Sequence, residues 1–157
     1  MMSNRVRISQ DKADLVQNLV ISPDNPQGVF STYADLMAFA AALGKRYNFS
    51  VTLGAIAKEP SPISIEVFNS RGYESLFKLL GITSTHNLNI ISSYEENQEE
   101  ARIKIFEEYA NGGLDRLQQQ LKGAVDYSER ILLILTQEKE CLSNGENKNF
   151  DLRKFIK

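Results

Sequence analysis

The 157-residue chain has little of what most often carries chemistry. It holds one cysteine, Cys141, which excludes an internal disulfide and fits a reducing compartment. Beside Lys139 and Glu140 this thiol reads as a helix-end residue without special reactivity. It also holds one histidine, His86, so any catalytic triad or histidine metal centre must be built around it. The neighbours in "STHNLN" offer neither carboxylate nor thiol at ligand spacing, and His86 is expected to be a loop residue. No Walker loop, dinucleotide glycine fingerprint or nucleophile elbow is present. No catalytic residue, metal ligand or cofactor is therefore expected.

Long apolar runs are missing too. The longest, Ile131 to Leu135, is far short of the roughly 18 residues of a membrane span. The start, "MMSNRVRISQDKADL", has basic residues but no apolar stretch of the signal-peptide kind. The expectation is a cytoplasmic protein without membrane contact. An excess of positive charge is also lacking: 18 Lys and Arg stand against 20 Asp and Glu, with pI near 5.5. Contact with DNA would need a local basic patch or the summed field of an oligomer.

What is present is ordinary globular material, 42% hydrophobic and 24% charged. A chain of this length buries roughly two thirds of its unfolded surface and needs no disulfide or metal staple. The expected fold is mainly α, a compact bundle of about five to seven helices with one or two short strands. One domain is expected over residues 1–142, followed by a polar tail, 143–157, in which Phe150, Leu152, Phe155 and Ile156 form a docking stripe.

"NRVRI" alternates, with Arg5 and Arg7 on one face and Val6 and Ile8 on the other, as in a short strand. Ser9 reads as an N-cap for a helix with the stripe Ala13, Val16, Leu19 and Val20, ending near Ile21 before "SPDNPQG". The next helix is the clearest. Thr32 and Asp35 suit a capping box, Leu36, Phe39, Ala40 and Leu43 share a face, and Gly44 is expected to begin its end. "FSVTLGAIAKEPSP" is ambiguous between strand and loop. Pro62 suits the first turn of a short helix, and Gly81 reads as the C-cap of another that starts near Tyr73. Ser93 and Glu96 suit a capping box for a long acidic helix. Its buried stripe is Ile103, Phe106 and Ala110, while Glu99, Glu100, Glu107 and Glu108 face water.

"EEYANGGLDRL", Glu107 to Leu117, interrupts that helix with Asn111, Gly112 and Gly113. The expected purpose is to close the helix and restart it at Leu114, and an anion site is the lesser reading. Asp126 is expected to cap a last helix whose apolar middle is buried.

Arg5 and Arg7, on a short strand before a capped helix, suit the way ribbon-helix-helix proteins present side chains to the major groove. The N-terminal part is read as ribbon-helix-helix-like on that pattern. The bland alternative is an edge strand protected by charge, and the long "SPDNPQGVF" connector departs from a strict ribbon-helix-helix.

Taken together, "NRVRISQDKADLVQNLV", "GVFSTYADLMAFAAALGKR" and "IFEEYANGGLDRLQQQL" resemble the Dnd system-associated protein family numbered four. "PISIEVFNSRGYESLFKLLGIT" and "DYSERILLIL" extend the resemblance over roughly residues 4 to 136. It implies a small bacterial cytoplasmic protein accompanying DNA phosphorothioation genes, which exchange a phosphate oxygen of DNA for sulfur and use the mark in phage defence. It implies no catalytic residues.

The leading expectation is a non-enzymatic accessory protein that binds DNA or another Dnd component. Arg5, Arg7 and Lys12 would form the nucleic-acid face, reinforced by Lys45 and Arg46. The alternative is a protein-protein adaptor without DNA contact, favoured by the acidic helix and the alanine-rich central helix. A homo-oligomer is left open, and a nuclease ranks third because no convergent carboxylate set can be assembled.

Overall fold

A computed structural model describes residues 4–92 and 94–145. Six α-helices and a two-stranded antiparallel sheet make the described fold mainly α, as expected. The chain divides into two compact units between Lys122 and Gly123.

In the first unit, β1 (Arg5–Val6) pairs antiparallel with β2 (Ile63–Ser64), Arg5 opposite Ser64 and Val6 opposite Ile63. The alternation holds: Val6 and Ile8 are buried, Arg5 and Arg7 exposed. One 3-10 turn, Gln10–Lys12, leads into α1 (Ala13–Leu19), whose Ala13, Val16 and Leu19 are buried. Ser9 is the N-cap by position, but its hydroxyl donates to the Asp11 carboxylate and caps no amide.

Helix α2 (Tyr33–Arg46) starts at Thr32, whose Oγ1 accepts from the Asp35 amide at 3.2 Å. Asp35 is too short to complete the capping box. Its carboxylate instead accepts from the Thr32 hydroxyl, from both sides of the Arg71 guanidinium fork and from the Tyr73 hydroxyl. This ties the start of α2 to the turn between α3 (Ile65–Ser70) and α4 (Glu74–Thr85). Pro62 precedes β2 and does not open α3, whose N-cap position is taken by Ser64 without a side-chain capping bond.

Three expected helix ends prove to be helix interiors. Gly44 lies inside α2, Gly81 inside α4, and Asn111–Gly113 inside α5 (Glu96–Leu121), which runs unbroken. The reason is packing. A Cβ on Gly44 would run into the Tyr109 carbonyl, on Gly113 into the Ala40 carbonyl, and on Gly112 into the Phe49 carbonyl. The glycines let α2 and α5 cross with their backbones in contact, and that packing offsets the propensity lost at each, about 1 kcal/mol relative to alanine. Gly81 faces the side chains of Ile90 and Arg102. Helix α4 ends instead at His86, whose amide still donates to the Ile82 carbonyl while its left-handed φ of 54° turns the chain out of the helix. Helix α5 starts after Glu95, and the expected cap Ser93 lies outside the described residues.

The core beside this crossing is aromatic. Phe77 and Phe106 stack at 4.0 Å between centroids, and Phe68 meets both edge-on at 5.4 Å.

The second unit contains α6 (Tyr127–Gly145). Asp126 Oδ1 accepts from the Glu129 amide at 3.2 Å, the expected cap. The middle of α6 is not buried throughout, since Leu132, Leu133 and Leu135 are exposed. The expected docking stripe, Phe150 to Ile156, lies outside the described residues. Among the described residues no helix is long and apolar enough to cross a membrane.

Candidate functional site

One face of α5 carries Glu107, Asn111 and Asp115, each a helical turn from the next. All three take a partner from segments that pack along that face. Arg7 grips Glu107 with both sides of its fork, Nε to Oε2 at 2.9 Å and Nη2 to Oε1 at 3.0 Å, and its main-chain amide adds 2.8 Å to Oε2. Asn111 Nδ2 donates to the carbonyls of Val51 at 3.2 Å and Thr52 at 3.5 Å. Lys12 Nζ pairs with Asp115 Oδ1 and, at 2.7 Å, with Asp11 Oδ2. Glu107, expected in water, is only 2% exposed, and the Lys12 side chain only 3%.

These pairs set the charge states. Hydrogen bonding to Glu107, and then its negative charge, raise the Arg7 pKa. Burial alone would lower that of Lys12, but hydrogen bonds to Asp11 and Asp115 outweigh it and the net shift is upward. Lys12 is thus held as an ammonium and has no lone pair to act as a nucleophile. The hydrogen bonds from Lys12 and then Ser9 lower the Asp11 pKa.

The five residues expected to face nucleic acid are thus distributed as follows. Arg5 is exposed on β1, with one long contact of 3.4 Å to the Pro62 carbonyl. Arg7 and Lys12 lie along the same face of α5, each held by carboxylates of this chain. Lys45, half-buried near the end of α2, places Nζ 5.1 Å from the centre of the Tyr109 ring. Glu107 and Tyr109, two residues apart on a helix, point to opposed sides, so Arg7 and Lys45 do not share a patch. Arg46 is exposed on the last turn of α2.

A family model described as DNA sulphur modification system-associated protein 4 matches residues 5–155, nearly the whole chain. The chain belongs to this family. The expected resemblance is thereby shown, and a DNA sulphur modification system is the setting in which this member of the associated protein 4 family is placed. No curated protein and no solved structure matches it.

Glu107, Asn111 and Asp115 went unread as a set in the sequence. Their signal is a polar residue at every fourth position, running beside the buried apolar positions Ile103, Phe106, Ala110 and Leu114. A solvated acidic face would not alternate with buried residues in that way.

Proposed function

We propose that this protein is a non-enzymatic, cytoplasmic accessory subunit of a bacterial DNA phosphorothioation system that serves phage defence, and that it acts by docking onto another protein of that system. The observation that carries the reading is the commitment of Arg7 and Lys12 to the acidic row of α5. A side chain already ion-paired within its own fold must give up that partner before it can neutralise a phosphate, which removes most of the gain. The Arg7 main-chain amide, which a second ribbon strand would need, donates to Glu107 as well. β1 finds its partner strand in its own chain.

The test is co-purification of the tagged protein with the other components of the system, after nuclease treatment and in high salt. The expected result is a complex that survives both. A complex lost to nuclease, or one that dissolves steeply with salt, would favour the second reading. That reading is direct DNA contact, and its support is Arg5, exposed on the outer face of β1.

A further inference from the structure

A groove of about 470 Å³ opens over the acidic row of α5, lined by Asp11, Lys12, Thr52, Gly54, Asn111 and Asp115 among others. Asn111 is buried, and the two carbonyls on Nδ2 fix which way its amide points. Its Oδ1 is consequently left without a donor among the described residues. An unsatisfied buried acceptor is unfavourable, so a group that supplies the missing donor is favoured there. Lys12 occupies Oδ2 of Asp11 and Oδ1 of Asp115, and the Ser9 hydroxyl takes Oδ1 of Asp11. Lys12 meets Asp115 through Oδ1, and the Asp115 side chain stays 29% exposed.

Asn111, with its unsatisfied Oδ1, and the Asp115 carboxylate thus belong to side chains one helical turn apart on α5. Asp11, Lys12 and Asp115 sum to one negative charge, which repels phosphate and attracts a cation. A guanidinium is positively charged and offers donors in a planar fork that spans two acceptors, whereas an ammonium is a point donor. One rim of the groove is irregular chain, with Val51, Thr52, Gly54 and Ala55 on it. The amides of Thr52, Leu53 and Gly54 have no partner among the described residues, and the space over Gly54 is open. Amides left open in this way can donate to the carbonyls of a segment laid beside them.

We propose that this groove receives an arginine side chain from an extended segment of the partner protein, the guanidinium bridging Asn111 and Asp115 and the segment lying along Thr52–Gly54. The proposal rests on the adaptor reading and names the face that the adaptor uses.

The full chain, labelled with nitrogen-15, is titrated with N-acetyl-arginine methylamide and, separately, with the citrulline analogue, its neutral isostere. Saturable shifts at the Asn111 side-chain amide and at Thr52–Gly54 are expected with the arginine probe. They should weaken by roughly tenfold with citrulline and in Asp115→Asn, as loss of a charge-assisted pair requires. Asp11→Asn, on the exposed wall, serves if Asp115→Asn does not fold. Absence of saturable shifts, or equal shifts with citrulline, overturns the proposal. In the co-purification, a partner held equally by wild type and a folded Asp115→Asn chain overturns the groove and leaves the adaptor standing. No partner on the wild-type chain overturns the adaptor reading itself, and the partner segment with it.

Discussion

At the scale of single residues, the two arginines of β1 look equivalent in "NRVRI" and are not. Arg7 covers a carboxylate that is 2% exposed, while Arg5 touches one carbonyl at the edge of hydrogen-bonding distance. Replacing Arg7 by alanine removes two charge-assisted hydrogen bonds but leaves the main-chain amide on Glu107. We expect Arg7→Ala to lower stability by about 1.5–3 kcal/mol, the range for hydrogen bonds to charged groups. Arg5→Ala should stay within about 0.5 kcal/mol, as surface substitutions do. Urea denaturation of the two variants checks this, and equal effects would refute the distinction. Asp35 gives a prediction in pH. Burial would raise its pKa, but the hydrogen bonds from Arg71, Tyr73 and Thr32 outweigh this and hold it below the usual value. In the unfolded chain it titrates near its ordinary value, about 3.9. Between the two values the unfolded state binds more protons, so the stabilisation is complete above the unfolded value and is lost as pH falls through the folded one. Asp35→Asn should therefore flatten the acid decline of stability below about pH 4, measured by urea melts across a pH series. An unchanged decline would assign it to other carboxylates. Neither residue's role is legible in sequence, because Asp35 reads as a cap and its partners lie over thirty positions away.

At the scale of elements, the central glycines decide how α2 and α5 meet. Alanine at Gly113 would gain about 1 kcal/mol in helix propensity. Its Cβ would also strike the Ala40 carbonyl, a backbone atom that cannot swing aside. The clash should win, with a net loss of about 1–3 kcal/mol, as overpacked interiors show. Gly54→Ala is the control, since a Cβ there meets nothing. Thermal melts of both variants make the comparison, and a more stable Gly113→Ala chain would mean that the helices do not cross so closely. This crossing explains which elements were legible. Helices with a clean apolar period and a capping residue, such as α2 behind Thr32, announce themselves through local chemistry. The Asn111–Gly113 stretch carries the same local signal as a helix end. What distinguishes an end from a crossing is a carbonyl on another helix, and no local pattern contains it. Gly44 and Gly81 mislead for the same reason. The candidate site is less legible still: Arg7 and Lys12 stand out in the sequence as cations, and the α5 carboxylates that hold them, Glu107 and Asp115, lie about a hundred residues on.

For the whole molecule, the question is whether the remaining cations add up to a surface for DNA. The net charge is −2, and Arg7 and Lys12 are each balanced at contact distance. Fluorescence anisotropy with a short duplex, plain and phosphorothioated, across a salt series puts this to the test. Each phosphate neutralised adds about 0.9 to the slope of log affinity against log salt. Under the adaptor reading, binding should be weak for both duplexes, the slope shallow, and neither Arg5→Ala nor Arg7→Ala should change it. Arg7→Ala is the informative variant, because it also frees Glu107 and makes the N-terminal face more negative. A chain that grips DNA through β1 would lose affinity twice over, from the missing cation and from the uncovered carboxylate. Tight binding that collapses in Arg7→Ala while the variant remains folded would return function to the strand. In that case the Arg7–Glu107 pair would be the resting state of a residue that exchanges its own carboxylate for a phosphate.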